Sequence, residues 1–163
     1  MRLAALVLLA QLGPGDLLGS RQEQTACEPR PGARAVRARV VEVPRGCKRF
    51  PGEGLSTDRP VVIRSARAFR ARLGCDAPVG FDFAHEQLVV ASIAVSVPST
   101  ISASLGGALE GPSRVTLRFD TRHVCQGIAQ RIESRTQLVA IPASNKRVEV
   151  VICDRSPLCG QVR

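Results

Sequence analysis

Six cysteines, two histidines and a short row of arginines are the side chains of this chain whose types and spacing could do chemistry. Cys27, Cys47, Cys75, Cys125, Cys153 and Cys159 could pair as disulfides or hold a metal. The best metal set would join His123 and Cys125, spaced i,i+2 on one strand face, to Cys153 and Cys159. Structural zinc sites usually carry a tight C-x-x-C pair, and none occurs here. An even cysteine count in an exported chain points instead to disulfides, so no bound metal and no free thiol are expected. Sequence alone leaves the connectivity open. Chain reach favours Cys153 with Cys159 across a Ser156-Pro157 turn, and more weakly Cys27 with Cys47.

Asp82 and His85 are the candidate acid and base of a hydrolase. Such an enzyme needs a nucleophile, a base and an orienting acid that converge in space. The chain has serines but no G-x-S-x-G elbow, and a catalytic cysteine would break the even count. Glu86, Glu110, Glu133 and Glu149 are scattered, without paired-carboxylate spacing. Gly106-Gly107 lacks the pattern of a phosphate loop, and no cofactor motif is present, so no cofactor is expected. The segment from Asp82 to Glu86 reads as a polar turn entering a strand, with Phe81 and Phe83 packing inward. Catalysis near Asp82 and His85 is the lesser alternative.

Arg64, Arg67, Arg70 and Arg72 are candidate anion-binding residues in a chain of net charge +9 and pI about 10.5. A basic surface attracts nucleic acid, anionic lipid headgroups or acidic polysaccharide. Nucleic acid is not the expected partner, because bases need aromatic platforms to stack on and the chain has five Phe, no Tyr and no Trp. Its richness in Ala, Arg, Gly, Pro and Val is also what a GC-rich genome writes. The arginines on the helix exterior therefore read first as a solvated face, with anion binding the alternative.

The elements that position these residues begin with Met1-Arg2, a largely apolar run from Leu3 to Leu12, and Gly13-Pro14-Gly15. This is the pattern of a signal peptide, taken as residues 1–19, and predicts a secreted or periplasmic protein in an oxidising compartment. The run is too short for a membrane span of about 20 residues, and no later segment qualifies. Ala26 before Cys27 fits a lipobox but Gln24 does not, so a lipoprotein anchored through Cys27 is an alternative. Residues 20–34 read as a flexible lead-in and residues 35–163 as a single β-rich domain.

Within that domain, Ala35 to Val43 reads as one strand, Pro44 to Arg59 as a loop, and Pro60 to Ile63 as a short strand. Ser65 to Leu73 reads as a helix: Ser65 is an N-cap, Phe69 and Leu73 lie i,i+4 on one face, and Gly74 suits a left-handed C-cap. Gln87 to Val97, Thr100 to Leu105, Val115 to Phe119, Gln137 to Ile141 and Arg147 to Cys153 read as strands. They are close in sequence, which favours hairpins or a meander over parallel crossovers. The expected class is α+β: a mainly antiparallel sheet, as a sandwich or open barrel, with one packed helix and disulfide reinforcement.

Ile63-Arg64-Ser65, the helix with Phe69 and Leu73, the step Phe81-Asp82-Phe83-Ala84-His85-Glu86-Gln87-Leu88-Val89-Val90, the run Thr136-Gln137-Leu138-Val139-Ala140-Ile141-Pro142 and Val148-Glu149-Val150 together form a recognisable pattern. Over about residues 60–152 it resembles the C-terminal domain of PrcB-type protease-complex subunits and related exported bacterial proteins. Where that family commonly has a Gly-Gly-Tyr-like bend, this chain has Pro98-Ser99-Thr100. The resemblance implies a non-enzymatic role in binding or stabilising a partner protein. The expected function is thus an exported protein-binding module acting on a secreted or envelope partner such as a protease. The alternative is an arginine-mediated binder of anionic envelope polysaccharide or lipid headgroups.

Overall fold

The computed structural model describes residues 27–47, 59–97, 100–123 and 131–156. The predicted signal peptide, Cys125 and Cys159 lie outside the described residues. In chain order the described elements are β1 (Arg34–Val36), β2 (Arg39–Val41), β3 (Val61–Ile63), α1 (Ala66–Leu73), β4 (Glu86–Val97), β5 (Thr100–Glu110), β6 (Arg114–His123), β7 (Arg131–Pro142) and β8 (Arg147–Asp154). They form two four-stranded sheets, ordered β1-β5-β6-β8 and β2-β7-β4-β3.

Alternation along the strands turns one face of each sheet toward the other. Val89, Ala91, Ile93 and Val95 of β4, with Val139 and Ile141 of β7, meet Val115, Leu117 and Phe119 of β6 and Val148 of β8 in a dry core. The opposite face of the second sheet is covered by α1. Phe69 and Leu73 pack there on Leu88, Val90, Leu138, Ala140, Val41 and Ile63. The result is helix on sheet on sheet. The centre of β4 is therefore buried on both faces, which is why its sequence is a continuous apolar run rather than an alternation.

The helix stops are local and obey the expected chemistry. Ser65 Oγ accepts from the Ala68 N–H at 3.1 Å. Gly74 takes φ 69° and its N–H donates to the Arg70 carbonyl. Few other residues adopt that left-handed conformation without strain. Burial of Phe69 and Leu73 contributes about 1.5–3 kcal/mol each, and this holds so short a helix in place.

Two sequence expectations are corrected by the topology. The strand expected over Ala35–Val43 is two short strands in different sheets. Ala35 pairs with Leu109 of β5, whereas Val40 pairs with Val139 of β7, and the chain changes sheets at Arg37-Ala38. The strand order is also not a simple meander, because β8 lies parallel to β6, with Val115 opposite Val148 and Asp120 opposite Cys153. The reason is that after β6 the chain crosses to the second sheet, where β7 pairs with β4 along its whole length, from Glu86 opposite Pro142 to Val97 opposite Arg131. The chain thus reverses twice before it returns beside β6.

Candidate functional site

Cys153 is bonded to Cys27, and Cys47 to Cys75. This overturns the favoured pairing of Cys153 with Cys159 and the weaker one of Cys27 with Cys47. Cys153 sits inside the β8 ladder opposite Asp120, so the pleat and not the following turn sets its direction. With Ile152 turned into the core, Cys153 points to the outer face of the first sheet, where the N-terminal segment runs. Residues 27–33, read from composition as part of a flexible lead-in, are thereby fastened between β8 and β1. The proposed zinc set loses Cys153 for the same reason. Among the described residues no group of three or more His, Cys, Asp or Glu side chains is disposed to hold a metal.

Asp82 and His85 do come together. Asp82 Oδ2 lies 2.7 Å from His85 Nδ1, and Oδ1 accepts the Ala84 N–H at 2.9 Å. The hydrogen bond from His85, followed by that from the Ala84 N–H, holds the Asp82 carboxyl below its ordinary value. The same hydrogen bond, followed by the charge of Asp82, raises the imidazole. The pair is open to solvent, with side chains 83 % and 58 % exposed for His85 and Asp82. Among the described residues no hydroxyl or thiol bonds to the ring, so the geometry is that of a capped turn leading into β4.

The four candidate arginines separate. Arg70 forms an ion pair with Asp76, which neutralises it. Arg67 shares a shallow exposed depression with Arg70 and Asp76, and Arg72 is exposed further along α1. Arg64 leaves the row. Its guanidinium donates to the Ser144 carbonyl through Nη2 at 3.1 Å and Nε at 3.3 Å. This places it in a shallow, open groove of about 500 Å³ with Arg59, Lys146 and Arg147, lined also by Pro60, Val62 and Val148. The groove lies between β3 and the start of β8. Sequence reasoning missed Arg59, Lys146 and Arg147. The only signal was a cation beside each strand start, and nothing local says that the two starts are neighbours.

Lys146 is anchored by Glu110 at 3.1 Å and the Gly111 carbonyl at 2.8 Å. Arg64 bonds a neutral carbonyl, and no carboxylate lines the groove among the described residues. Its arginines therefore keep an uncompensated charge.

A second concavity, of about 170 Å³, lies where Glu28, Arg30 and Pro31 cross Leu109, Arg114, Thr116 and Glu149. Burial pushes the Glu149 carboxyl up, but hydrogen bonds from Thr116 and Arg114, with the charges of Arg114 and Arg30, outweigh it and hold the group ionised below its ordinary value. Thr116 Oγ1 donates at 2.7 Å and Arg114 Nη1 at 3.0 Å. Here cations and carboxylates balance, as expected of a structural clasp.

Comparison with family models, with curated proteins and with solved structures finds no match to this chain.

Proposed function

We propose that the chain is an exported, non-enzymatic module that binds a protein partner and stabilises or regulates it, the partner being a secreted or envelope protein such as a protease. The observation that carries this reading is the edge of β8 that no described strand pairs. Only β6 pairs with β8 among the described strands. An unpaired strand edge is a template for a further strand, and natural sheets usually blunt it with proline, lysine or a bulge. β8 reads RVEVVICD and carries charges at Arg147, Glu149 and Asp154, but no proline, lysine or bulge against β6. Arg155 N–H, just past the strand, donates to the Thr121 carbonyl of β6. Alternation then turns the main-chain groups of Val148 and Val150 outward, whereas the Ile152 carbonyl is covered by Cys27 Sγ at 3.6 Å.

The two disulfides suit an oxidising compartment, and no described helix is long and apolar enough to cross a membrane. The resemblance to PrcB-type subunits supports the same role. A second reading, binding of anionic envelope polysaccharide or lipid headgroups, is favoured by the unpaired arginines of the groove. Catalysis near Asp82 and His85 has no comparable support, because the pair is exposed and no hydroxyl or thiol among the described residues bonds to the ring.

The test is affinity capture from culture supernatant and envelope fractions with the tagged, oxidised protein and with Val150→Pro. Proline is tolerated where the strand N–H faces away from the sheet, and because the Val150 side chain packs toward the core, capture is scored only with a variant whose circular dichroism is native. A specific protein retained in saturable fashion and lost with Val150→Pro is the expected result. Retention of anionic polysaccharide with no saturable protein would overturn the reading in favour of the second.

A further inference from the structure

We infer that the groove between β3 and β8 takes an extended, carboxylate-rich segment of the protein partner. This rests on the protein-binding reading above and names the chemistry of its ligand. The first argument is where the excess charge stays unmatched. Arg70 is neutralised by Asp76, and Arg114 by Glu149. In the groove only Lys146 has a carboxylate, Glu110. Arg59, Arg64 and Arg147 have none among the described residues. Arg64 is already held in place by the Ser144 carbonyl, so binding an anion there orders little further side chain.

The second argument is main-chain geometry. β3 and β8 are the end strands of the two sheets, so among the described residues the groove is flanked by two edges each paired on one side only. An extended peptide can satisfy such an edge while its alternate side chains reach the arginines. A polysaccharide or a lipid headgroup can use the charge but cannot extend a sheet. The third argument is the floor. Half-buried Pro60 and Val62 give apolar contact on which the intervening side chains of a strand can rest, while Val148 beside them is enclosed in the core.

The experiment measures fluorescence anisotropy of a short labelled peptide alternating Glu and Val, titrated with the oxidised protein. A peptide with Gln in place of Glu and a sulfated polysaccharide serve as comparisons. The Glu peptide is expected to bind at least roughly tenfold tighter than the Gln peptide, with an advantage that shrinks as salt rises. The double variant Arg59→Glu with Arg147→Glu should abolish that advantage, while Arg67→Glu on α1 should leave it within about twofold. Val150→Pro should weaken the peptide but not the polysaccharide. Equal binding of the Glu and Gln peptides would overturn the inference. So would peptide binding that ignores Val150→Pro, which would mark a charge-only site for polyanions. If partner capture is lost with Val150→Pro but unaffected by the double charge reversal, the groove inference falls and the protein-binding reading stands.

Discussion

Cys27 and Cys153 are covalently joined although 126 residues separate them. The bond ties the first described residue to the last strand and closes almost the whole domain into one loop. Cys47 and Cys75 close a much shorter one, of 28 residues.

Loop length sets the expected difference between the two. In the chain-entropy model the long loop is worth about 5 kcal/mol and the short one about 3.5 kcal/mol. The double variant Cys27→Ser with Cys153→Ser is therefore expected to lower the denaturant midpoint more than Cys47→Ser with Cys75→Ser. Equilibrium unfolding in guanidinium checks the order, and a greater loss from the shorter loop would contradict it. Non-reducing peptide mapping should recover both linkages, and alkylation of the denatured, unreduced protein should label no cysteine.

Phe69 and its neighbour Arg70 should behave oppositely. Phe69 is fully buried between α1 and the second sheet, so Phe69→Ala is expected to cost about 3–5 kcal/mol. Arg70 reaches only Asp76 on the exposed side, and such surface pairs contribute about 0–1 kcal/mol. Thermal melts of the two variants decide the matter. Similar losses would mean that the arginine side of α1 is the packed one.

Gln87 points between the sheets, in step with Val89 and Ala91, and is 1 % exposed. Neither its Nε2 nor its Oε1 has a hydrogen-bond partner among the described residues. A buried polar group left unpaired costs about 1–3 kcal/mol. Gln87→Leu, similar in volume and apolar, is expected to stabilise the domain by about 1 kcal/mol, read as a higher unfolding midpoint. A destabilised variant would indicate that the amide is satisfied within the fold.

His85 supplies a pH signature. Its ring should titrate in NMR above the ordinary value of 6.5, because the Asp82 carboxylate accepts its proton in a hydrogen bond. Asp82→Asn should bring the midpoint back toward 6.5. The sign for stability follows from both partners. The raised His85 contributes fully below 6.5, and its contribution is lost as pH rises through the higher folded value. The lowered Asp82 contributes above 3.8, and its contribution is lost as pH falls through the lower folded value. The small difference between the native protein and Asp82→Asn should therefore be confined to the window between these limits, since both groups are exposed.

Much of the secondary structure was legible because its causes are local. Ser65, Gly74 and the Phe69–Leu73 spacing mark a helix within ten residues of chain, and that helix lies where they place it. The strands read over Val115–Phe119 and Arg147–Cys153 lie within β6 and β8, and Val148, Val150 and Ile152 pack toward the core. What alternation cannot carry is the identity of the neighbour. Ala35 to Val43 reads as one strand, yet the chain changes sheets within it, because strand-like composition is the same whichever partner supplies the hydrogen bonds.

The sequence by itself therefore determined the class of the fold, the buried face of its helix and of several strands, and the presence of cysteines able to brace it. Only the tertiary structure decided that β8 returns parallel to β6, that Cys153 reaches Cys27 rather than its near neighbour, and that Arg64 parts from the helix arginines to join Arg59, Lys146 and Arg147. Each of these depends on contacts between residues far apart in the chain. Such contacts are selected by how two sheets and a helix bury their apolar faces together, and no short window of sequence contains that choice.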